Sequence, residues 1–148
     1  MPAYSRREQY AEWFLRGLQL GDTLRTRFLR ERNGEGVGYR DFAPLFRAES
    51  FNAGDWADQF RRAGARYVML TSKHHAGFRL WPSRHAPGWP SVDTGPRRDV
   101  VGELTNAVRA AGLRMGPYYS LPETPVGGGA WTGPLIRPEP QRAAGSIP

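Results

Sequence analysis

Two adjacent histidines follow a short apolar segment, and they are the residues of this chain best suited to chemistry. Residues 67–72 (Tyr-Val-Met-Leu-Thr-Ser) form a β-prone run, and Lys73, His74, His75 and Gly77 come soon after it. A buried parallel strand delivers polar side chains in this way to the carboxyl edge of a sheet, where α/β proteins place their functional groups. The sequence therefore predicts a functional site where this strand ends.

The two histidines can share one pocket only if the chain leaves the sheet beside them. Neighbouring residues on an extended strand point to opposite faces, and Gly77 permits a turn that would bring His74 and His75 together. Neutral imidazole rings donate and accept hydrogen bonds, which suits sugar hydroxyls. The pattern equally fits a histidine pair whose hydrogen bonds are satisfied within the fold. A zinc site is disfavoured, because the chain has no cysteine and only His85 besides this pair.

Aromatic and acidic side chains supply further candidates. The aromatic residues that could stack on a sugar, but which in most proteins belong to the core, are Trp13, Trp81, Trp89, Tyr118 and Tyr119. The available carboxylates are Glu12, Asp41, Asp93, Asp99 and Glu103. A retaining glycosidase needs two carboxyl groups about 5–5.5 Å apart, and the spacing here singles out no such pair. Asp99 and Glu103 are better interpreted as a helix cap and a first-turn charge.

Two predicted helices must position these groups. The first spans residues 52–63, with Asn52 as its N-cap and Gly64 after its end. The second spans residues 99–111, with Asp99 as its N-cap. Its apolar stripe, at helical spacing, consists of Val100, Leu104, Ala107, Val108 and Ala111.

Two strands flank the second helix. Strand 66–71 precedes it and a strand at 113–121 follows it, so we predict neighbouring parallel strands joined by a helical crossover, an α/β arrangement. His74, His75 and Tyr119 should then lie at the same edge of the sheet. Residues 72–98 have no regular period, and their aromatic residues and prolines predict a packed loop.

Composition narrows the classes of function. The net charge is +7, but Lys73 is the only lysine and the arginines are scattered along the chain, so we expect no nucleic-acid binding. No apolar run reaches the length of a membrane span, and the polar N-terminus lacks the apolar centre of a signal peptide, so the default expectation is a cytoplasmic protein that does not contact a membrane. Nucleotide-binding and serine-hydrolase motifs are missing, and no cofactor or metal is expected.

Ordered blocks of sequence resemble the α-L-fucosidases of glycoside hydrolase family 29. The blocks that carry the resemblance, between Pro2 and Glu123, are residues 12–14, 39–44, 56–57, 63–67, 70–75, 80–83, 91–93, 95–104 and 118–121. The resemblance implies part of a (β/α)8 TIM-like barrel and a retaining exo-glycosidase that removes terminal α-L-fucose from glycoconjugates through a covalent glycosyl-enzyme.

The same resemblance implies the roles of five residues. Glu12 and Trp13 match a Glu-Trp pair at the sugar pocket, and His74 and His75 match histidines that bond fucose hydroxyls. The end of the second strand matches another pocket wall, with Tyr119 favoured over Tyr118 as the contact. The partner is thus a fucosylated glycan or fucoside. The resemblance does not indicate an oligomeric state.

The departures from the family pattern concern catalysis. The family's first strand would precede Pro2, and its aspartate nucleophile and acid/base carboxylate would come well after Leu121, so no catalytic residue is assigned in this chain. Ala76 stands where the family usually has a carboxylate. We expect residues 1–123 to form a partial catalytic barrel that is inactive alone. Residues 124–148, rich in proline and glycine, are expected to be a disordered or out-of-frame tail.

Two other functions stay open at this point. The first is a non-catalytic fragment that binds a glycan or a partner subunit. The second is a basic nucleic-acid-binding module, which only the net charge supports.

Overall fold

A computed structural model describes residues 13–85 and 88–121. Glu12, the expected boundary at residue 123 and the expected tail at residues 124–148 lie outside the described residues. The elements, in chain order, are α1 (Phe14–Gln19), α2 (Thr23–Asn33), a 3-10 helix (Tyr39–Leu45), α3 (Ala53–Arg62), β1 (Tyr67–Lys73), α4 (Val100–Ala110) and β2 (Arg114–Tyr119). Within this part of the chain, no helix has both the length and the apolarity needed to cross a membrane.

The two predicted helices are confirmed, together with their caps. The side-chain oxygen of Asn52 accepts hydrogen bonds from the backbone N–H groups of Gly54 and Asp55, at 3.0 and 3.2 Å. Asp99 accepts one from the N–H of Gly102 at 2.8 Å. Both carboxamide and carboxylate caps satisfy donors that the first helical turn leaves unpaired. The capping residues in the sequence were therefore sufficient to predict where α3 and α4 begin.

β1 and β2 pair in parallel, as predicted. Tyr67 lies opposite Arg114 and Thr71 opposite Tyr118, and the register shifts before Lys73, which pairs with Tyr119. Parallel strands separated by one helix require a crossover connection, which α4 provides. The α/β class is therefore confirmed for the described residues, and both strands end at the same edge.

Pro117 is accommodated within β2 because of its orientation. The N–H of Arg114 bonds to the carbonyl oxygen of Arg66 on the β1 side at 3.2 Å. Since successive N–H groups of a strand point to alternate sides, the nitrogen of Pro117 faces away from β1. The proline therefore removes no hydrogen bond between the two strands.

The expectation that β1 is a buried strand is only half right. Val68 and Leu70 pack against the core, but Tyr67 and Met69 on the opposite face are 66% and 61% exposed. A run of consecutive apolar residues predicts burial on both faces. Among the described residues, helices cover only one face of this pair of strands, so burial alternates along β1 until Ser72 and Lys73, which are both buried.

The core lies between α4, α3 and the covered face of the sheet. Its buried members are Phe51, Ala57, Val100, Leu104 and Val108. Three of these come from the predicted apolar stripe of α4, because residues spaced three and four apart lie on one face of a helix. This core fixes β1 and β2 against α4 and so fixes the edge at which both strands end.

The long segment after β1 is a packed loop, as predicted. Trp89 is 5% exposed and Ser91 is fully buried. The N–H of Leu80 donates to the carbonyl oxygen of Ser72 at 3.1 Å. The N–H of Val101 donates to the carbonyl oxygen of Leu80 at 3.0 Å. The loop is therefore attached both to the end of β1 and to the start of α4.

Candidate functional site

The chain leaves the sheet at His74, as the two histidines require if they are to share a site. The N–H of Gly77 donates to the carbonyl oxygen of His74 at 2.9 Å, which closes a tight turn, and Gly77 has a φ of 74°. That backbone conformation favours glycine. The turn holds the rings of His74 and His75 with their centroids 4.2 Å apart. The predicted mechanism for bringing the pair together is therefore confirmed.

Four rings form a continuous row at this edge of the sheet. The indole of Trp13 lies against His75, with centroids 4.8 Å apart, and His75 in turn lies against His74. The ring of His74 stacks on Tyr118 at 6.1 Å, with the planes 21° apart. Trp13 comes from the start of α1 and Tyr118 from β2, so three separate segments build this row. We call Trp13, His75, His74 and Tyr118 the ring row.

Tyr119 lies beside the ring row but contacts other residues, Lys73 and Trp81. The ammonium nitrogen of Lys73 is 4.4 Å from the centroid of the Tyr119 ring, and Trp81 lies 6.0 Å from it. Lys73 is 1% exposed, so its charge is held against an aromatic face away from solvent. The edge therefore carries both predicted tyrosines, with Tyr118 stacked on a histidine and Tyr119 packed on the lysine.

Ser120 connects the end of β2 with the histidine turn. Its hydroxyl oxygen is 2.6 Å from Nδ1 of His75, and its N–H donates to the carbonyl oxygen of Lys73 at 3.1 Å. The backbone of Ser120 is thus bound to the end of β1 while its hydroxyl contacts a ring of the site.

A cavity of about 360 Å3 opens next to His74. Its walls are mainly apolar, and they are formed by the 3-10 helix, the end of β1 and the loop after it. The described residues that line it are Tyr39, Phe42, Ala43, Phe46, Thr71, Ser72, Lys73, His74, Ala76, Phe78, Leu80 and Trp89. Burial raises the pKa of the Tyr39 phenol above its usual 10.0, so Tyr39 is a neutral hydroxyl at physiological pH. The cavity offers apolar surface, one histidine, one lysine and hydroxyl groups.

Four of the acidic candidates have structural partners. Asp41 accepts from the N–H of Gly38 at 2.7 Å, and Asp93 accepts from the N–H of Gly88 at 2.9 Å. Asp99 caps α4 as described above, and Glu103 forms an ion pair and hydrogen bonds with Arg98. That pairing raises the pKa of the Arg98 guanidinium. Each of these carboxylates stabilises a loop or a helix start, and none of them lines the cavity.

Of the predicted site residues, Trp13, His74 and His75 meet in the ring row, and Glu12 lies outside the described residues. Tyr119, the contact that the resemblance favours, lies at the same edge but packs on Lys73 and Trp81, whereas Tyr118 joins the ring row. Within residues 13–85 and 88–121, no three His, Asp or Glu side chains come together in a way that could hold a metal ion. The arrangement suits hydrogen bonding and stacking on a small polar ligand with an apolar face.

Comparison with known proteins decides the family. A family model described as alpha-L-fucosidase matches residues 2–144. The chain belongs to the alpha-L-fucosidase family. The match extends past residue 123, and the boundary that we expect there stays a prediction.

Sequence relatives and solved structures agree with this assignment. The chain is 49% identical to tissue alpha-L-fucosidase of Rattus norvegicus over 109 residues, which are 74% of this chain and 23% of that protein. It is 47% identical to the Homo sapiens tissue enzyme over 114 residues, 76% of this chain and 24% of that protein. The chain thus spans about a quarter of the length of these curated relatives.

A solved structure extends the likeness to the fold. The crystal structure of Thermotoga maritima alpha-fucosidase in complex with fucose matches with a TM-score of 0.69 and 46% identity, over 75% of this chain and 26% of that chain. Both the family and the parallel strand arrangement of this fucosidase segment are thereby supported.

The sequence did not predict the contacts of three residues at this candidate site. Lys73 was named at the strand end and Trp89 as an aromatic candidate, but no partner was predicted for either of them, and Ser120 was not singled out. Lys73 carried a signal, since it is the only lysine of an arginine-rich chain. Ser120 carried none, because its contact with His75 joins residues 45 positions apart.

Proposed function

We propose that the ring row and the adjoining cavity bind the fucosyl group of a fucoside or fucosylated glycan. The observation that carries the proposal is the convergence of Trp13, His75, His74 and Tyr118 where two parallel strands end. Imidazoles provide donors and acceptors for sugar hydroxyls, and aromatic rings pack on the apolar face of a sugar. The related Thermotoga maritima structure, which contains fucose, supports this choice of ligand.

The wider architecture that we propose is part of a (β/α)8 barrel. A parallel strand pair joined by a helix is the repeating unit of that fold, and the functional groups of such barrels lie at the carboxyl ends of their strands. The histidine turn follows β1, and Ser120 follows β2, at that end of the described sheet. The proposed site therefore occupies the position that such a barrel uses for catalysis.

We further propose that the 148-residue chain contributes substrate-binding groups to a retaining α-L-fucosidase but does not hydrolyse fucosides by itself. A retaining glycosidase needs a carboxylate nucleophile and a second carboxyl group that acts as acid and then as base. Asp41, Asp93, Asp99 and Glu103 are engaged in structural contacts away from the ring row. A non-catalytic fragment that binds a glycan or a partner subunit is the alternative.

Ligand titration of the 148-residue chain tests the binding proposal. We expect L-fucose to shift the NMR signals of His74, His75 and Trp13, and His74→Ala to weaken binding at least about ten-fold, beyond the loss of a single neutral hydrogen bond. His85→Ala is the matched control, because His85 is exposed in the loop after β1. Equal affinity of both variants, or no response of the ring row to fucose, would contradict the proposal.

An activity assay tests the proposal that the chain does not hydrolyse fucosides by itself. The purified chain is incubated with an aryl α-L-fucoside, with the Thermotoga maritima enzyme as positive control. We expect no turnover by the chain even where fucose binds. Turnover that survives purification and is lost in His75→Ala would show that the chain carries its own catalytic groups.

A further inference from the structure

We propose that Ser120 is a positioning residue that holds the His75 ring in one orientation and in its Nε2–H tautomer. This inference rests on the proposed function, because it describes how His75 is prepared for a ligand. Its basis is the 2.6 Å contact between the hydroxyl oxygen of Ser120 and Nδ1 of His75. No acid–base chemistry of Ser120 itself is involved.

The sheet fixes the Ser120 side of this contact. The N–H of Ser120 donates to the carbonyl oxygen of Lys73, which is the last residue of β1 and directly precedes the histidine turn. Ser120 is 4% exposed. The Ser120 backbone is bound to the neighbouring strand and the residue is buried, so its hydroxyl has few alternative positions. A hydrogen bond from this hydroxyl therefore restricts the χ angles of the His75 side chain.

Packing restrains the same ring from two further directions. Trp13 lies 4.8 Å from the His75 ring and His74 lies 4.2 Å from it, centroid to centroid. These contacts restrict the plane of the ring but do not distinguish its two flipped forms, since a 180° flip exchanges Nδ1 with Cδ2 and Nε2 with Cε1. A directional hydrogen bond to one nitrogen selects between the flipped forms, and Ser120 provides such a bond to Nδ1.

The tautomer depends on which partner donates, because a hydroxyl can both donate and accept. In the proposed arrangement Ser120 donates to an unprotonated Nδ1, which leaves the proton of the neutral ring on Nε2. In this tautomer Nε2–H is a hydrogen-bond donor. It can donate to a hydroxyl oxygen or the ring oxygen of a sugar, both of which have acceptor lone pairs. A second residue that fixes a histidine tautomer through its other nitrogen is a general device in protein sites.

Long-range 1H–15N NMR spectra of the ring nitrogens test the tautomer without any ligand. In the 148-residue chain we expect Nε2 of His75 to show the shift of a protonated nitrogen and Nδ1 that of an unprotonated one. Ser120→Ala removes the hydroxyl but keeps the N–H that bonds to Lys73, and it should move both shifts towards each other as the tautomers mix. A protonated Nδ1 in the parent chain, or unchanged ring shifts in Ser120→Ala, would overturn the inference.

Matched variants separate positioning from loss of structure. Ser91 is also fully buried, and its hydroxyl donates to the carbonyl oxygen of Arg98 at 2.7 Å, so Ser91→Ala removes an equivalent buried hydroxyl away from His75. It should leave the His75 shifts unchanged. Ser120→Cys keeps the size of the side chain with a weak donor and should resemble Ser120→Ala, whereas Ser120→Thr keeps the hydroxyl and should restore the parent shifts. If Ser91→Ala changes the ring as much as Ser120→Ala does, the effect is structural and the inference fails.

Fucose binding gives an independent readout. We expect the affinity for L-fucose to fall about three- to ten-fold in Ser120→Ala, the range for one neutral hydrogen bond, and to recover in Ser120→Thr. Absence of fucose binding by the parent chain would contradict the proposed function, whereas the ring spectra would still decide the tautomer. Full affinity in Ser120→Ala would refute the positioning role even if the proposed function holds.

Discussion

The indole nitrogen Nε1 of Trp89 donates a hydrogen bond to the carbonyl oxygen of Ala76 across 3.0 Å. This bond joins the far end of the long loop to the turn that carries the two histidines. Phe78 packs edge-on against the same indole at 5.3 Å, and the guanidinium of Arg40 lies 5.0 Å from its centroid. The position of the histidine turn thus depends on a residue thirteen positions further along the chain.

Trp89→Phe should destabilise the chain and loosen the histidine turn. The substitution keeps an aromatic ring but removes the hydrogen bond to the half-buried Ala76 carbonyl, which costs about 0.5–1.5 kcal/mol. Chemical denaturation measures the loss of stability. Trp56→Phe is the control, because Trp56 is 39% exposed and packs against Phe51. A loss in Trp56→Phe as large as in Trp89→Phe would show that the indole of Trp89 has no special role.

Sequence reasoning succeeded where the determinants are local. Asn52 and Asp99 are caps whose partners lie two or three residues away, and the spacing of Val100, Leu104 and Val108 alone defines a buried helix face. The strand ends were predictable for a related reason, since a helix between two short apolar segments implies parallel pairing and a shared edge.

The features that were not predicted depend on distant contacts or on weak local signals. α2 lacks a broad apolar stripe, and Leu29 is its only buried residue, although Asp22 gives it a well-formed cap. The exposure of Tyr67 and Met69 depends on which layers cover β1, which an apolar run cannot reveal. The contact of Ser120 with His75 depends on the register between two strands.

Gly95→Ala should destabilise the chain more than Gly112→Ala does. Both glycines have positive φ values, 76° and 78°, so both substitutions carry a conformational cost of roughly 1–2 kcal/mol. At Gly95 a Cβ would also stand 2.7 and 2.8 Å from the carbonyl oxygens of Phe46 and Ala43, whereas nothing lies within 4 Å at Gly112. Overpacking adds about 1–3 kcal/mol.

Denaturant unfolding of the two glycine variants isolates this steric effect. Because the conformational cost is common to both, the difference between them measures the close approach of the loop to the 3-10 helix that lines the cavity. Equal stabilities would show that the backbone at Phe46 and Ala43 moves aside freely.

Leu104→Ala should be among the most damaging single substitutions in the described part of the chain. Leu104 is 1% exposed and lies between α3 and the sheet, so its truncation leaves a cavity and costs about 2–5 kcal/mol. Leu24→Ala makes the same change on α2, where Leu24 is 55% exposed, and should alter stability by only about 0.5 kcal/mol. Thermal unfolding compares the two, and similar losses would contradict the assignment of the core to α4.

Acidification should remove stability that Asp22 provides at the start of α2. The backbone N–H of Arg25 foremost, together with the N–H of Leu24 and the guanidinium of Arg25, holds the pKa of the Asp22 carboxyl below its ordinary value of 3.8. The folded state thus prefers the carboxylate. Its stabilising contribution is complete above the ordinary pKa and is lost as the pH falls through the lower, folded-state pKa.

Asp22→Asn tests this pH dependence, because the amide retains a capping oxygen but cannot titrate. The variant should be less stable than the parent at neutral pH, and its unfolding midpoint in denaturant should fall less when the pH is taken below 3.8. Asn52→Ala is the reference, since Asn52 caps α3 with an uncharged oxygen and its removal should lower stability equally at both pH values. A parent and an Asp22→Asn variant that lose stability in parallel on acidification would show that the Asp22 charge does not hold α2 in place.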